Sequence, residues 1–148
     1  MLGRMINKKI GIIDYGTSNI FNLVNAFEHL NGNVKIIDEP QDMSDITHLV
    51  LPGVGAFENG MNSLKNKNLT DLILNHAGRD LPFLGICLGM QMMLSESYEF
   101  GSHSGLNIIN GKIKKIPNIN SDGVKHKIPH IGWNEINISF NKHLEKSI

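Results

Sequence analysis

Four short, nearly continuous apolar runs, Ile10 to Ile13, Val34 to Ile37, His48 to Leu51 and Phe83 to Ile86, recur along the chain, separated by turn-forming residues. Runs this short without polar alternation read as strands covered on both faces. Between the first and second, Asp14-Tyr15-Gly16-Thr17-Ser18-Asn19 supplies a turn and capping side chains. Ile20, Val24 and Phe27 then recur at helical spacing, with Leu23 and Leu30 beside them, until Gly32 ends the segment. That apolar face is assigned to the core. Pro52-Gly53-Val54-Gly55 stops the third run. Phe57, Met61 and Leu64, then Leu69, Leu72, Ile73 and His76, mark helical turns before the fourth. Strands alternating with helices predict an α/β fold, a mostly parallel sheet flanked by helices on both faces.

Beyond the fourth run the pattern changes. Leu88, Met90, Met92, Met93 and Leu94 make a helix that is apolar almost all round, which predicts burial and assigns the methionines to core packing. Gly101 to Gly111 reads as a polar loop, Lys112 to Ile116 as an alternating strand, Pro117 to Pro129 as a long loop and Trp133 to Ile138 as a last strand.

The junction at Gly85-Ile86-Cys87-Leu88-Gly89 carries the only cysteine. A thiol among apolar residues is ordinarily a small buried hydrophobe. Flanking glycines favour a second reading, a nucleophile at a strained strand-to-helix turn, where bulk on either side would strike the neighbouring strand or the first helical turn. A thiolate at a helix N-terminus is also stabilised. Gln91 lies four residues later, on the same helical face as Cys87. Its amide either bonds to nearby backbone or meets a polar ligand beside the thiol. Pro52 to Gly55 is either a plain turn or a cradle of unobstructed N–H groups able to receive an oxyanion. In parallel sheets functional loops gather at the carboxyl ends of strands. Asp14 to Asn19, Pro52 to Gly55 and Cys87 to Gly89 all lie at such ends, so one crevice can hold all three.

Composition narrows the field. A chain of 148 residues suits one domain, here residues 1–148, and 14 basic against 14 acidic side chains leave no general attraction to nucleic acid or anionic membrane. The longest uncharged stretch, Leu81 to Ser95, has 15 residues, short of the ~20 that cross a bilayer. A single cysteine forms no internal disulfide and no secretory leader opens the sequence, which points to the cytoplasm. Neither G-x-G-x-x-G nor G-x-x-x-x-G-K-[ST] occurs, and the lysines from Lys112 to Lys127 lack interleaved aromatics. His29, His48, His76, His103, His126, His130 and His143 are scattered without zinc spacing, and none declares itself a base. His143-Leu144-Glu145 imitates an imidazole beside a carboxylate but lies among polar and charged residues.

Asp14 to Asn19, Leu51-Pro52-Gly53-Val54-Gly55-Ala56-Phe57, Gly85 to Gln91 and Pro129-His130-Ile131-Gly132-Trp133-Asn134, in this order, resemble the class I glutamine amidotransferases, in particular the glutaminase subunits of imidazole glycerol phosphate synthases. The resemblance implies a flavodoxin-like three-layer fold without metal or cofactor. Cys87 would attack the side-chain amide of glutamine, releasing ammonia and leaving a thioester for water to open. The Leu88 N–H and Gly53, Val54 and Gly55 would form the oxyanion hole, and Gln91 and Glu99 would hold the amino-acid portion of glutamine. Asn19, Asn22 and Trp133 would couple the site to a partner, a cyclase or synthase subunit that accepts the ammonia. Two departures stand out. Ser18 replaces a glycine usual in the first loop, and the family's catalytic histidine and glutamate belong to a later carboxyl-terminal segment, which His143 to Glu145 follows Trp133 too closely to represent. On this reading the domain lacks its C-terminal part. Relatives serving surface-sugar amidation, a cysteine hydrolase or redox sensor on a similar sheet, and a catalytically incompetent partner-binding chain are the alternatives.

Overall fold

The computed structural model describes residues 8–16, 19–119, 121–125, 127–129, 131–133 and 135. The chain divides into two compact units, residues 1–114 and 115–148. In the first, β1 (Lys9–Ile13), β2 (Asn33–Ile37), β3 (His48–Leu51) and β4 (Phe83–Gly85) form a parallel sheet in the order β2-β1-β3-β4. Each of the four apolar runs is thus a strand. Ile12 pairs with Ile36 on one side and Val50 on the other. Neighbouring residues on a strand face opposite ways, yet Ile12, Ile13, Leu49, Val50 and Leu51 are all buried, so both faces of the central strands are covered. At the two edge strands this fails: Leu84 of β4 and Ile36 of β2 are about half exposed.

Helix α1 (Ile20–His29) joins β1 to β2; a 3-10 turn, Pro40–Met43, leads to β3; α2 (Phe57–Asn66) and α3 (Thr70–Gly78) join β3 to β4. The chain steps outward from β1 to β2 in one direction and from β3 to β4 in the other. Right-handed crossovers therefore set α1 on one face and α2 and α3 on the opposite one, the three layers expected. Phe57, Met61 and Leu64 of α2 and Ile73 of α3 are buried at the predicted spacing. Helix α1 is shallower than expected. Ile20, Leu23, Val24 and Phe27 are only half buried and Leu30 is exposed, because α1 lies over β1 and the edge strand β2, where water reaches its flank.

The segment after Cys87 departs from its pattern. Helix α4 (Leu88–Met92) is short, and Leu94–Ser97 is a strand, β5, flanked by β6 (His103–Ser104), antiparallel, and β7 (Ile109–Ile113), parallel. Two corrections follow. The stretch from Gly101 to Gly111 is not a plain loop, and the strand expected at 112–116 begins at Ile109. The carbonyls that would extend the helix are taken elsewhere: Leu106 N–H donates to Met92 O (2.8 Å), Ile108 N–H to Met93 O (2.9 Å) and Gly105 N–H to Ser95 O (2.9 Å). Leu88, Met92 and Met93 are buried, but Met90 is half exposed, so the helix is not sealed all round.

In the unit 115–148, Ile119 and Lys125 form an antiparallel bridge across the stretch read as a loop. Ile131 and Trp133 are exposed and outside any strand; the rest of the strand expected at 133–138 lies almost wholly outside the described residues.

Candidate active site

The connections leaving β1 and β3, adjacent in the sheet, run in opposite directions. Ligands of open α/β sheets occupy the crevice at such a switch point, beyond the carboxyl ends of the strands. Cys87 follows β4 at that edge, beside β3: Ile86 N–H donates to Leu51 O (3.0 Å), continuing the ladder up to the thiol residue. Cys87 itself has φ +54° and ψ −118°, a backbone region that non-glycine residues occupy at a cost of ~1–3 kcal/mol and that clusters at functional sites. Its side chain is exposed. The flanking glycines have the role the sequence suggested. A Cβ on Gly89 would overlap the Leu51 carbonyl, and one on Gly85 would lie 2.6 Å from Met90 Cα.

The Pro52 to Gly55 loop is held from below by the Tyr15 hydroxyl, which donates to Pro52 O (2.8 Å) in a buried contact that the sequence did not suggest. Lys67 Nζ likewise donates to Asp14 O (2.8 Å), tying the first loop to the end of α2. Leu88 N–H donates to Gly53 O at 3.3 Å, so the loop and the elbow are in direct contact, with that donor engaged by the protein. Gln91 lies one turn along, its N–H donating to Cys87 O (3.1 Å), and its side chain is half buried. Glu99 reaches the same neighbourhood from the end of β5: its Oε2 accepts the Phe57 N–H (2.9 Å), two residues beyond Gly55.

Asn19 caps α1, its Oδ1 accepting the Asn22 N–H at 3.4 Å, and both side chains are exposed. Trp133 is fully exposed. Ser18, His126, His130 and His143 lie outside the described residues. His76 is buried with Nε2 3.1 Å from Pro82 O and its ring edge-on to Phe83, and burial pushes its pKa below the ordinary imidazole value. His48 is pushed the same way by burial and then by Lys8. Both sit at the amino ends of β3 and β4, across the sheet from Cys87, so neither serves the thiol. His103 is the histidine that sequence reasoning passed over: its Nδ1 lies 3.8 Å from Glu58 Oε1. Among the described residues no cluster of three or more His, Cys, Asp or Glu could hold a metal ion, and no helix is long and apolar enough to cross a membrane.

The sequence model of the glutamine amidotransferase class-I family matches residues 11–145. The chain belongs to the class-I glutamine amidotransferases. Among relatives of this amidotransferase, imidazole glycerol phosphate synthase subunit HisH 1 of Legionella pneumophila (strain Paris) is 48% identical over 127 residues, covering 86% of this chain and 60% of the relative. Subunit HisH of Syntrophotalea carbinolica is 43% identical over 130 residues, covering 87% and 63%. The amidotransferase chain thus spans about 60% of the length of the relatives it matches. Two solved structures share its fold. A glutamine amidotransferase has a TM-score of 0.60 at 13% identity, over 70% of this chain and 54% of that one. A putative peptidase E protein from Listeria monocytogenes has a TM-score of 0.56 at 15% identity, over 69% and 63%.

Proposed function

We propose that this amidotransferase chain belongs to a glutaminase that releases ammonia from glutamine for a synthase making imidazole glycerol phosphate, in histidine synthesis. The observation that carries the chemistry is the exposed thiol of Cys87, held at φ +54° beside the Gly53 loop. The pathway rests on relatives at 48% and 43% identity that are named imidazole glycerol phosphate synthase subunits, which favours histidine synthesis over surface-sugar amidation.

The Cys87 thiolate adds to the carboxamide carbon of glutamine, and the carbonyl electron pair moves onto oxygen. When the tetrahedral adduct collapses, the C–N bond breaks and nitrogen leaves as ammonia once protonated. Water then adds to the thioester, the C–S bond breaks, and glutamate and the free thiol result. The resemblance assigns the proton transfers to a histidine and glutamate in a later segment. Leu88 N–H and the N–H groups of the Gly53, Val54 and Gly55 loop stabilise the oxyanion. For Leu88 this requires the Gly53 carbonyl to turn away, and a 3.3 Å bond is long enough to give way readily. Gln91 and Glu99 hold the amino and carboxylate end of the substrate. Near neutral pH ammonia is largely protonated in water, so a docked cyclase in a cytoplasmic heterodimer receives it directly, with Asn19 and Asn22 in the first unit and Trp133 in the second each taking part in the coupling.

The test is glutamate release by the protein at its full natural length, with and without an imidazole glycerol phosphate synthase cyclase. Cys87→Ala should lower release to background; persistent turnover would reject the nucleophile, and release unaffected by the cyclase would reject the pathway.

A further inference from the structure

The turn between β5 and β6 carries Glu99, and its shape is fixed from within. The Glu99 N–H donates to Ser97 Oγ (3.2 Å), itself fully buried, and the Ser102 hydroxyl donates to Glu96 Oε1 (2.9 Å). From the outer side, Lys112 Nζ of β7 reaches Glu96 Oε2 and the Tyr98 hydroxyl, each at 3.0 Å. What this turn rests on is the first turn of α2. That helix begins without a local cap, because Ala56 at its N-cap offers no side-chain acceptor. The acceptor comes instead from Glu99, whose Oε2 takes the Phe57 N–H at 2.9 Å.

One residue further along, Glu58 Oε1 stands 3.8 Å from His103 Nδ1 at the start of β6. The His103 side chain is 19% exposed. Its Nε2 is buried without a hydrogen-bond partner among the described residues and faces Gly101, 3.0 Å from where a Cβ would stand. The polar contact of the ring is therefore on the Glu58 side. Two successive residues of α2, Phe57 and Glu58, grip the two ends of the turn, Glu99 and His103.

We propose that the first turn of α2 positions the Glu99 carboxylate for the α-ammonium group of glutamine, with the Phe57 N–H as the anchor and the Glu58–His103 pair as the brace. The inference rests on the reading above that Glu99 binds substrate. With Oε2 held by Phe57, Oε1 is the oxygen left to face an ammonium, and the carboxylate loses the freedom to rotate away from it. Only Ala56 separates Phe57 from Gly55. Hence the same anchor ties the substrate's amino end to the loop beside Cys87. Glu58 and His103 act through Glu99 and are positioning residues.

The experiment uses the full-length protein with its cyclase and the variants Glu58→Gln, His103→Gln and the pair together. KM for glutamine should rise about three- to fivefold in each single variant, with no further rise in the double variant and kcat within about twofold of wild type. Hydrogen exchange at the Phe57 amide, measured without substrate, should quicken in the same variants. If His103→Gln fails to fold, Glu58→Gln carries the test, since its side chain is 57% exposed. Unchanged KM and unchanged Phe57 exchange would overturn the positioning role while leaving the glutaminase intact, as would single effects that multiply in the double variant. A wild-type protein that neither binds nor hydrolyses glutamine would reject the functional reading, and the positioning role with it.

Discussion

At the scale of single residues, the site is built from close approaches that tolerate no added atom. Gly89 lets α4 start against the Leu51 carbonyl, and its position fixes where the strained Cys87 stands. Gly89→Ala should therefore destabilise the fold by about 3 kcal/mol and lower Tm by about 6–12 °C. Gly78→Ala is the control: nothing lies within 4 Å of its Cβ position at the end of α3, so Tm should stay level or rise slightly. Equal changes in the two variants, read by calorimetry, would show that the Leu51 contact does not govern Gly89. The sequence already carried this feature, because two glycines around a lone cysteine after an apolar run have few other uses. It carried nothing of Tyr15, whose hydroxyl supports Pro52 from 37 positions away.

Elements divide by the range of the forces that form them. Strands β1 to β4 and helices α1 to α3 follow from local periodicity, and α2 and α3 bury the residues the pattern assigned to the core, whereas α1 lies shallower than its pattern suggested. Asn19 shows the local case: its side chain caps α1 through a bond of 3.4 Å, at the weak end of the range. Asn19→Ala should cost about 0.5–1 kcal/mol and speed amide exchange in the first turn of α1, leaving α2 unaffected. Unaltered exchange there would mean that packing on β1 and β2, not the cap, starts the helix. Strand β5 is the opposite case. The apolar pattern puts Leu94 at the end of a helix, yet Gly105 to Ile109 supplies donors to the carbonyls from Met92 to Ser95 and β7 supplies a parallel partner, so the helix stops at Met92. A pairing made fifteen residues downstream leaves no periodic trace in the segment it converts. The capping of α2 by Glu99 is equally non-local, with 42 positions between donor and acceptor.

For the molecule as a whole, the two sheet edges have separate tasks. The carboxyl edge gathers Cys87, the Gly53 loop, Gln91 and Glu99; the amino edge holds His76 buried against Pro82 and Phe83. Burial disfavours the imidazolium, so the folded-state pKa of His76 lies below the ordinary 6.5. Below that value the unfolded chain binds a proton that the folded chain refuses. Stability contributed by neutral His76 is thus full above about pH 6.5 and is lost as pH falls through the folded pKa, with a slope of at most about 1.4 kcal/mol per unit. His48 adds in the same direction. Urea denaturation across pH 7 to 5 should show wild type weakening more steeply than His76→Gln, whose amide can still donate to Pro82; parallel curves would remove His76 as the source.

By itself the sequence determined the parallel sheet, the helices that alternate with it and the glycine-flanked thiol at the end of β4, because each is written in residues a few positions apart whose spacing and size admit one local geometry. Only the tertiary structure decided that Leu94 leaves the helix, that the Leu88 N–H is held by Gly53, and that Glu99 rests on Phe57 beside Glu58 and His103. Those outcomes depend on which distant donors and acceptors meet once the apolar faces are buried, and a hydrogen bond needs contact within ~3 Å, a condition that no linear pattern records.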